Sequence, residues 1–354
     1  MVNPSGHYEK YMNRCLELAR RGQGHTAPNP MVGCVIVHQD CIIGEGYHSF
    51  FGGPHAEVNA IKLVKDAGNL KDSTLYVNLE PCTHFGKTPP CTRLIIDTGI
   101  PKIVIGVTDP NSAVSGEGIK QLSDSGCEVI TDCLRDESID LNRRFFTFHL
   151  KKRPYIILKW AQTRDGFIDK LRRDQENDKI NWITDETSRT LVHKWRAEEQ
   201  AILIGSVTAI KDNPRLTTRA WPGDNPLRLV IDRKGKLPEH LHILDGSVRT
   251  VVFTNVMKPQ RTNLQYVELN QNEEVIPAIL KYLYNNDIQS LMVEGGKLLI
   301  NEFLIHRLWD EARIFTGNKT FGQGIPAPVI SAVPDHQIKF SESDVKIYRH
   351  PESF

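Results

Sequence analysis

Short apolar runs alternate with amphipathic helical segments along most of the chain, and this alternation constrains the fold more than any other feature. Runs such as 103–107, 155–160 and 201–204 have the length and the β-branched content of buried strands. The segments between strands, such as 55–67 and 185–198, are long enough to be crossover helices. The pattern predicts an α/β fold in which helices cover a sheet.

The chain is too long for one ordinary core, and a break falls near residue 150. Its 354 residues suit two domains of roughly 150 to 200 residues each. A predicted helix over 136–150 is followed by the basic run 151–153 and by Pro154, which cannot continue a helix. We therefore predict a first domain over 1–150 and a second over 151–354.

Charge and composition restrict the class of partner. A formal charge of +1, from 44 basic and 43 acidic residues, gives no broad positive field for nucleic acid. No stretch approaches the roughly 20 apolar residues of a membrane span. Seven cysteines, none after Cys133, are an odd set that does not resemble a secreted disulfide framework. We expect a cytoplasmic protein with reduced thiols that acts on a small molecule, with no nucleic-acid or membrane partner.

Three short motifs in the first domain carry possible metal ligands. His55 and Glu57 form an H-A-E motif at a predicted helix start, Cys82 follows a predicted strand, and Cys91 comes later. A catalytic zinc site uses three N or S ligands and leaves one position for water, and His55, Cys82 and Cys91 meet that count. Glu57 is then the candidate general acid and base of a hydrolytic deamination. Pro81 also predicts a helix start at Cys82, which would stabilise a thiolate.

The spacing of the two cysteines departs from the general deaminase signature, which is H-x-E followed by P-C-x-x-C. Here eight residues, 83–90, separate them. Each ligand alone is better explained as an ordinary buried or surface residue, whereas their joint order favours zinc. Two alternatives stay open. One is a tRNA adenosine deaminase, and the other is a binding protein with structural zinc, which would need four protein ligands and no base such as Glu57.

The motif P-C-T-H-F-G-K-T-P-P-C, together with H-A-E, resembles the bifunctional riboflavin-biosynthesis deaminase and reductase family. The resemblance covers nearly the whole chain, including H-T-A-P-N-P-M-V-G at 25–33, D-P-N at 109–111, the run 201–217 and V-E-G-G at 293–296. It implies a cytidine-deaminase-like α/β/α domain followed by a dihydrofolate-reductase-like α/β domain. A narrower alternative is that only one of the two activities is retained.

For the first domain the resemblance implies one zinc ion per chain and hydrolysis of an amino group on a diaminopyrimidinone. This substrate carries a phosphoribosylamino group, and the product is the corresponding aminouracil. Amides and imidazoles can bind ring edges, and a lysine ammonium can meet a phosphate. The implied pocket residues are Asn29, His48, His84, Lys87, Asp109 and Asn111.

For the second domain the resemblance implies reduction of the ribosyl group to ribityl with NADPH. No G-x-G-x-x-G follows a strand, so a Rossmann domain is disfavoured. A turn at 294–296 can instead present backbone N–H groups to a cofactor phosphate, and arginines can bind the substrate phosphate. The implied substrate contacts are Lys159, Arg196, Leu216, Arg219 and Glu294. The implied cofactor contacts are Gln162, Trp182, Thr208, Asp212, Gly296, Lys297, Leu298, Leu299, Ile300, Asn301 and Glu302.

One segment of the second domain departs from the family pattern. Similar proteins usually approach the W-I-T motif through Gly-Glu-Ser, with the serine near the substrate, whereas this chain has K-L-R-R-D-Q-E-N-D-K at 170–179 and then Ile180. We expect an exposed loop here, with the polar contact of the serine either missing or supplied by Asn181 or Thr184. We also expect a homo-oligomer.

Overall fold

The structure is a computed structural model that describes residues 4–83, 89–111, 115–171, 181–270 and 272–354. The chain divides into two compact units, Met1–Lys152 with Phe354, and Arg153–Ser353. Within the described residues, every helix is too short or too polar to cross a bilayer.

The first unit is a five-stranded sheet covered by helices. Its elements in chain order are α1 (Pro4–Arg20), β1 (Gly33–His38), β2 (Cys41–Tyr47), α2 (Ala56–Lys62), β3 (Thr74–Val77), α3 (Cys91–Thr98), β4 (Lys102–Ile105), α4 (Glu117–Asp124), β5 (Glu128–Ile130), α5 (Arg135–Leu141) and α6 (Arg143–Lys151). The strand order is β2-β1-β3-β4-β5. Strand β1 is antiparallel to both neighbours, and β3, β4 and β5 are parallel.

Both faces of this sheet are buried, because alternate residues of each strand point to opposite sides. Cys34 and Ile36 of β1 belong to a core with α2, α3 and α4. Val35 and Val37 belong to a second core, against α1. The predicted helix-covered sheet is therefore confirmed as three layers.

Two local predictions for this unit are wrong. The single helix predicted over 136–150 is broken at Asn142, whose side chain binds the backbone of Met31 on both its N–H (2.8 Å) and its C=O (2.9 Å). The helix predicted to start at Cys82 starts instead at Cys91, with Pro90 as its N-cap. The amide of Cys91, left unpaired by the helix start, donates to Cys82 Sγ at 3.4 Å, so Cys82 lies in front of the helix.

The second unit is a larger, mostly parallel sheet. Its elements are β6 (Tyr155–Gln162), β7 (Phe167–Asp169), α7 (Glu186–Glu198), β8 (Ala201–Gly205), α8 (Ser206–Asp212), β9 (Leu227–Ile231), β10 (Thr250–Thr254), β11 (Leu264–Glu268), α9 (Val275–Asn285), β12 (Ser290–Val293), α10 (Lys297–Ile305), β13 (Glu311–Thr316), β14 (Ile325–Pro326), β15 (His336–Phe340) and β16 (Ser343–Arg349). The nine-stranded order is β11-β10-β9-β8-β12-β6-β13-β16-β15, with β14 and β7 paired separately.

In this spatial order, each strand from β11 to β13 is parallel to its neighbours within that range. Strand β16 is antiparallel to β13, and β15 is antiparallel to β16. The carboxyl ends of β6, β8 and β12 therefore meet at one edge of the sheet. Ligand sites of open parallel sheets form at this edge. Val293, the last residue of β12, pairs with Leu158 of β6. The next residues of the two strands, Glu294 and Lys159, therefore lie side by side, so the sheet brings the two predicted substrate contacts together.

Candidate active sites

Three side chains of the first unit converge as the sequence predicts. His55 Nδ1 lies 3.5 Å from Cys82 Sγ and 3.3 Å from Cys91 Sγ, and one ligand atom from each of the three residues lies within 4.8 Å of the others. One imidazole nitrogen and two sulfurs are a donor set that zinc prefers, and three ligands leave one coordination position open. The described residues therefore fit a catalytic zinc ion.

Two glycines explain how the H-A-E motif is placed. Helix α2 lies directly on β2, where a Cβ at Gly44 would come within 2.4 Å of Ala60 O and one at Gly46 within 2.5 Å of Ala60 N. Only glycine allows such a close approach. His55 is the N-cap residue of α2, and Glu57 lies in its first turn. The packing of α2 on β2 thus fixes both functional side chains.

Glu57 is buried, with 3% of its surface exposed. Burial raises the pKa of this carboxyl group, and the neighbouring Cys82 raises it further, while His55 opposes the shift. A hydrogen bond with Cys91 lowers the pKa of Cys82, and the amide of Cys91 also donates to the Cys82 sulfur. The pKa of Cys82 is therefore lowered and that of the neighbouring Glu57 is raised, and a raised pKa suits a general acid and base.

Asn29 and His48 form a hydrogen-bonded pair beside the candidate metal ligand His55. His48 Nδ1 lies 3.0 Å from Pro54 O, and His48 Nε2 lies 3.1 Å from Asn29 Nδ2. Because a carbonyl only accepts, Nδ1 carries the proton and Nε2 of the neutral ring accepts from the Asn29 amide. Burial lowers the pKa of His48, which favours this neutral form. The rings of His48 and His55 meet edge to face at 5.5 Å.

Two of the other predicted pocket residues of the first unit are hydrogen-bonded to each other. Asp109 Oδ1 accepts a hydrogen bond from Asn111 N at 2.8 Å, so these two residues form one turn. His84 and Lys87 lie outside the described residues. Sequence reasoning missed Glu80, a buried carboxylate two positions before Cys82; its only sequence signal is its position between a strand and a metal ligand.

A buried ion cluster lies at the carboxyl edge of the second sheet. Arg196 Nε and Nη2 each donate to a different oxygen of Glu294 at 2.8 Å, and Lys159 Nζ lies 3.6 Å from Glu294 Oε2. Burial alone would raise the pKa of Glu294, but the charges of Arg196 and Lys159 outweigh it and lower the pKa to about 2. Glu294 is therefore ionised and positions both cations.

Positive charge accumulates around this cluster. The pKa of Arg219 is lowered by burial and by the nearby charges of Arg196, Arg215 and Arg189. Such mutual repulsion of guanidinium groups favours binding of an anion, and arginine suits phosphate oxygens. Leu216 is buried and has φ +52°, a backbone conformation uncommon outside glycine. The predicted phosphate contacts Arg196 and Arg219 thus share one electropositive region.

His193 is a further residue of this region that sequence reasoning missed. Its Nδ1 donates to Thr217 O at 2.6 Å, and burial, followed by the charge of Arg196, lowers its pKa to about 4. His193 is therefore neutral at physiological pH and holds the backbone next to Leu216. A histidine three residues before Arg196 on a predicted helix carried no signal for this role.

The predicted cofactor turn is built on two glycines, and a Cβ added at Gly295 would meet nothing within 4 Å. Gly295 has φ +103°, which strongly favours glycine, and a Cβ at Gly296 would lie 3.2 Å from Thr208 Oγ1. The turn and Thr208 are therefore adjacent. Helix α10 then begins at Lys297 and supplies N–H groups of the kind that bind phosphate. This arrangement fits NADPH.

The remaining predicted cofactor residues differ in burial and in their contacts. Leu298 is 78% exposed, whereas Ile300 packs in the core with Phe303, so Ile300 can serve only by holding the helix. Trp182 is exposed, and the Arg189 guanidinium lies 4.6 Å from its ring centroid. Gln162 accepts a hydrogen bond from Trp160, and Asp212 is the last residue of α8. Leu299 packs on the core, and Asn301 and Glu302 lie on α10.

The segment before W-I-T is only partly described. Asn181 Nδ2 donates to Asp169 Oδ1 at 2.9 Å, and Thr184 O accepts from Arg189. The predicted exposed loop lies mostly at residues 172–180, outside the described ones.

Comparison with known proteins gives one family for the whole chain. Residues 5–107 match the cytidine and deoxycytidylate deaminase zinc-binding region, and residues 154–347 match the RibD C-terminal domain. The riboflavin biosynthesis protein RibD of Aquifex aeolicus is 38% identical over 96% of this chain and 93% of its own length. That of Bacillus amyloliquefaciens is 39% identical over 91% of this chain and 88% of its own.

A solved structure gives the same result. The diaminohydroxyphosphoribosylaminopyrimidine deaminase/5-amino-6-(5-phosphoribosylamino)uracil reductase of Thermotoga maritima is 40% identical, with a TM-score of 0.86. The alignment covers 98% of this chain and 99% of that one.

Proposed function

Because the chain belongs to the RibD family of riboflavin biosynthesis and is a bifunctional deaminase and reductase, we propose that its two reactions use separate sites, one at Glu57 and one at Glu294. The family, the α/β fold of both domains, and the use of zinc and NADPH, all predicted above, are confirmed. We propose residues 1–150 for deamination and 151–354 for reduction.

The deaminase proposal is carried by one observation, the cluster of His55, Cys82 and Cys91 beside the buried Glu57. These three residues would hold the zinc ion, which when bound lowers the pKa of water and so supplies hydroxide near neutral pH. Glu57 would take the proton of the attacking water and deliver it to the ring nitrogen and the departing amine. Its raised pKa supports both transfers.

The substrates are proposed from the two activities of the Thermotoga maritima relative. We assign this chain a diaminopyrimidinone with a phosphoribosylamino group as the deaminase substrate and the resulting aminouracil as the reductase substrate. In the first site, Pro54 O fixes the His48 tautomer, and His48 fixes the amide orientation of Asn29. This relay would turn Asn29 Oδ1 toward ring donors. Asp109 and Asn111, and with them His84 and Lys87, would complete the pocket.

In the reductase site the electropositive region would bind the substrate phosphate through Arg196 and Arg219. Glu294 orients Arg196 and Lys159, and Leu216 would close the pocket on its apolar side. NADPH supplies the hydride when bound. Thr208, Asp212 and the turn at Gly296 would hold it, with Gln162, Trp182 and the first turns of α10.

The experiment that tests both proposals uses the purified full chain. We expect about one zinc per chain, ammonia release from the diaminopyrimidinone, and NADPH oxidation with the aminouracil. A chelator that removes the zinc should stop ammonia release and leave NADPH oxidation unchanged, because no proposed zinc ligand lies after the domain boundary. Loss of both activities on chelation would contradict separate sites.

Substitution of Asp212 provides the complementary separation. We expect Asp212→Ala to raise the KM for NADPH about tenfold, which corresponds to roughly 1.4 kcal/mol, and to leave ammonia release unchanged. Steady-state assays of both activities measure this. Asp224→Ala, in an exposed loop of the same unit, is the matched control and should change neither. An equal loss of both activities in Asp212→Ala would refute the assignment.

The small-molecule substrate is the partner that the family implies. A cytoplasmic location and a homo-oligomeric state remain predictions, and light scattering on the purified full chain measures the oligomeric state.

A further inference from the structure

Glu80 carries a buried carboxylate that the proposed reaction does not use. It lies between β3 and the metal ligand Cys82, and only 4% of its surface is exposed. Each carboxylate oxygen accepts hydrogen bonds from two backbone N–H groups. All four donors lie in the segment 109–119, of which the structure describes 109–111 and 115–119. The donors are Asp109 (3.0 Å) and Gly116 (3.0 Å) to Oε2, and Gly118 (2.8 Å) and Ile119 (3.2 Å) to Oε1.

The backbone at Gly118 packs closely against Pro81 and Glu80. A Cβ at Gly118 would lie 2.3 Å from Pro81 O and 3.1 Å from Glu80 Oε1, so the segment approaches the strand end as closely as glycine allows. The amide of Glu80 itself donates to Val107 O at 2.9 Å. Both the main chain and the side chain of Glu80 therefore bind the polypeptide just before and within the segment 109–119.

The hydrogen bonds of Glu80 extend to the proposed substrate pocket of the deaminase. A hydrogen bond to a charged acceptor is stronger than one between neutral groups, and here four of them bind both ends of one segment to a single side chain. That segment begins with the turn of Asp109 and Asn111. Cys82 lies two positions after Glu80, so the distance between the metal ligands and this turn is set through Glu80.

We propose that Glu80 is a positioning residue of the deaminase. It fixes Asp109 and Asn111 relative to the metal ligands, so that the substrate ring is held in register with Glu57. This inference rests on the pocket role proposed above for Asp109 and Asn111. It differs from that role, since Glu80 is buried behind the segment and acts only through it.

The test is Glu80→Gln in the full-length zinc enzyme. The amide has one oxygen in place of two and turns an NH₂ group toward two backbone N–H donors, so half of the clamp is lost. We expect the KM for ammonia release to rise at least tenfold, with kcat lowered less, zinc content unchanged and NADPH oxidation unchanged. A role limited to stability would lower the melting temperature and the active fraction, and would leave KM as it is.

Two further variants separate positioning from stability. Glu45→Gln removes a carboxylate of the same unit that accepts two hydrogen bonds from Arg14, at 3.0 and 2.7 Å; we expect it to lower the melting temperature without changing KM. Gly118→Ala displaces the segment while keeping the Glu80 carboxylate. It should raise KM as Glu80→Gln does.

Several outcomes would overturn the proposal. The proposal is wrong if KM is unchanged in both Glu80→Gln and Gly118→Ala. It is also wrong if both variants lose zinc or both fail to fold, because Glu80 would then belong to the metal site or to the core. A KM increase of the same size in Glu45→Gln would also reject it. Absence of ammonia release in the unsubstituted chain would refute the deaminase function itself, and it would be seen before any variant is made.

Discussion

Glu57→Gln is expected to retain about one zinc per chain and to release ammonia at least about a hundredfold more slowly, since the removal of a general acid and base typically costs that much. Glutamine has the size of glutamate but cannot take a proton from water at neutral pH. The three zinc ligands are untouched, so the metal should stay. Metal analysis and an ammonia assay measure the two results on the same sample.

The controls for this prediction lie within the same chain. NADPH oxidation with supplied aminouracil should be nearly unchanged in Glu57→Gln, because the buried ion cluster of the reductase belongs to the other unit. Thermal unfolding must match that of the unsubstituted protein before rates are compared. Undiminished ammonia release in a zinc-loaded variant would show that another group moves the proton.

Glu294→Gln is expected to destabilise the second unit by about 3–5 kcal/mol, the usual effect of breaking a buried ion pair from one side. Lys159 and Arg196, with side chains 14% and 11% exposed, would lose their buried counter-ion. Denaturant unfolding measures the loss. Glu352→Gln is the matched control: its pair with Arg307 is exposed (71% and 67%), and such pairs contribute at most about 1 kcal/mol.

The same substitution should change the dependence of stability on pH. The pKa of Glu294 is about 2 in the folded protein against an ordinary value of 4.5, so its contribution is fully present above about pH 4.5 and is lost as the pH falls toward 2. The stability difference between the unsubstituted protein and Glu294→Gln should therefore narrow over this range. A difference that stays constant on acidification would contradict an ionised Glu294 in the folded state.

The sequence predicts much of the fold and the convergence of His55, Cys82 and Cys91, because both depend on local patterns. Apolar alternation locates the central strands, and H-A-E places His55 and Glu57 on one helix turn. It does not predict the roles of Glu80 and Asn142, whose side chains bind backbone groups far away in the chain. It also misses the edge strand β15, whose residues are largely exposed and therefore carry little apolar signal.

The contact of α2 with Gly44 and Gly46 has a consequence for how this enzyme can change during evolution. With no side-chain layer between helix and strand, a larger residue at either glycine must displace the helix that carries His55 and Glu57. Substitutions at Gly44 or Gly46 therefore cannot shift the positions of His55 and Glu57 in small steps. Surface loops tolerate substitution and insertion far better than packed elements do. Relatives that acquire a new ring preference should accordingly differ in the loops that surround the pocket, while keeping both glycines.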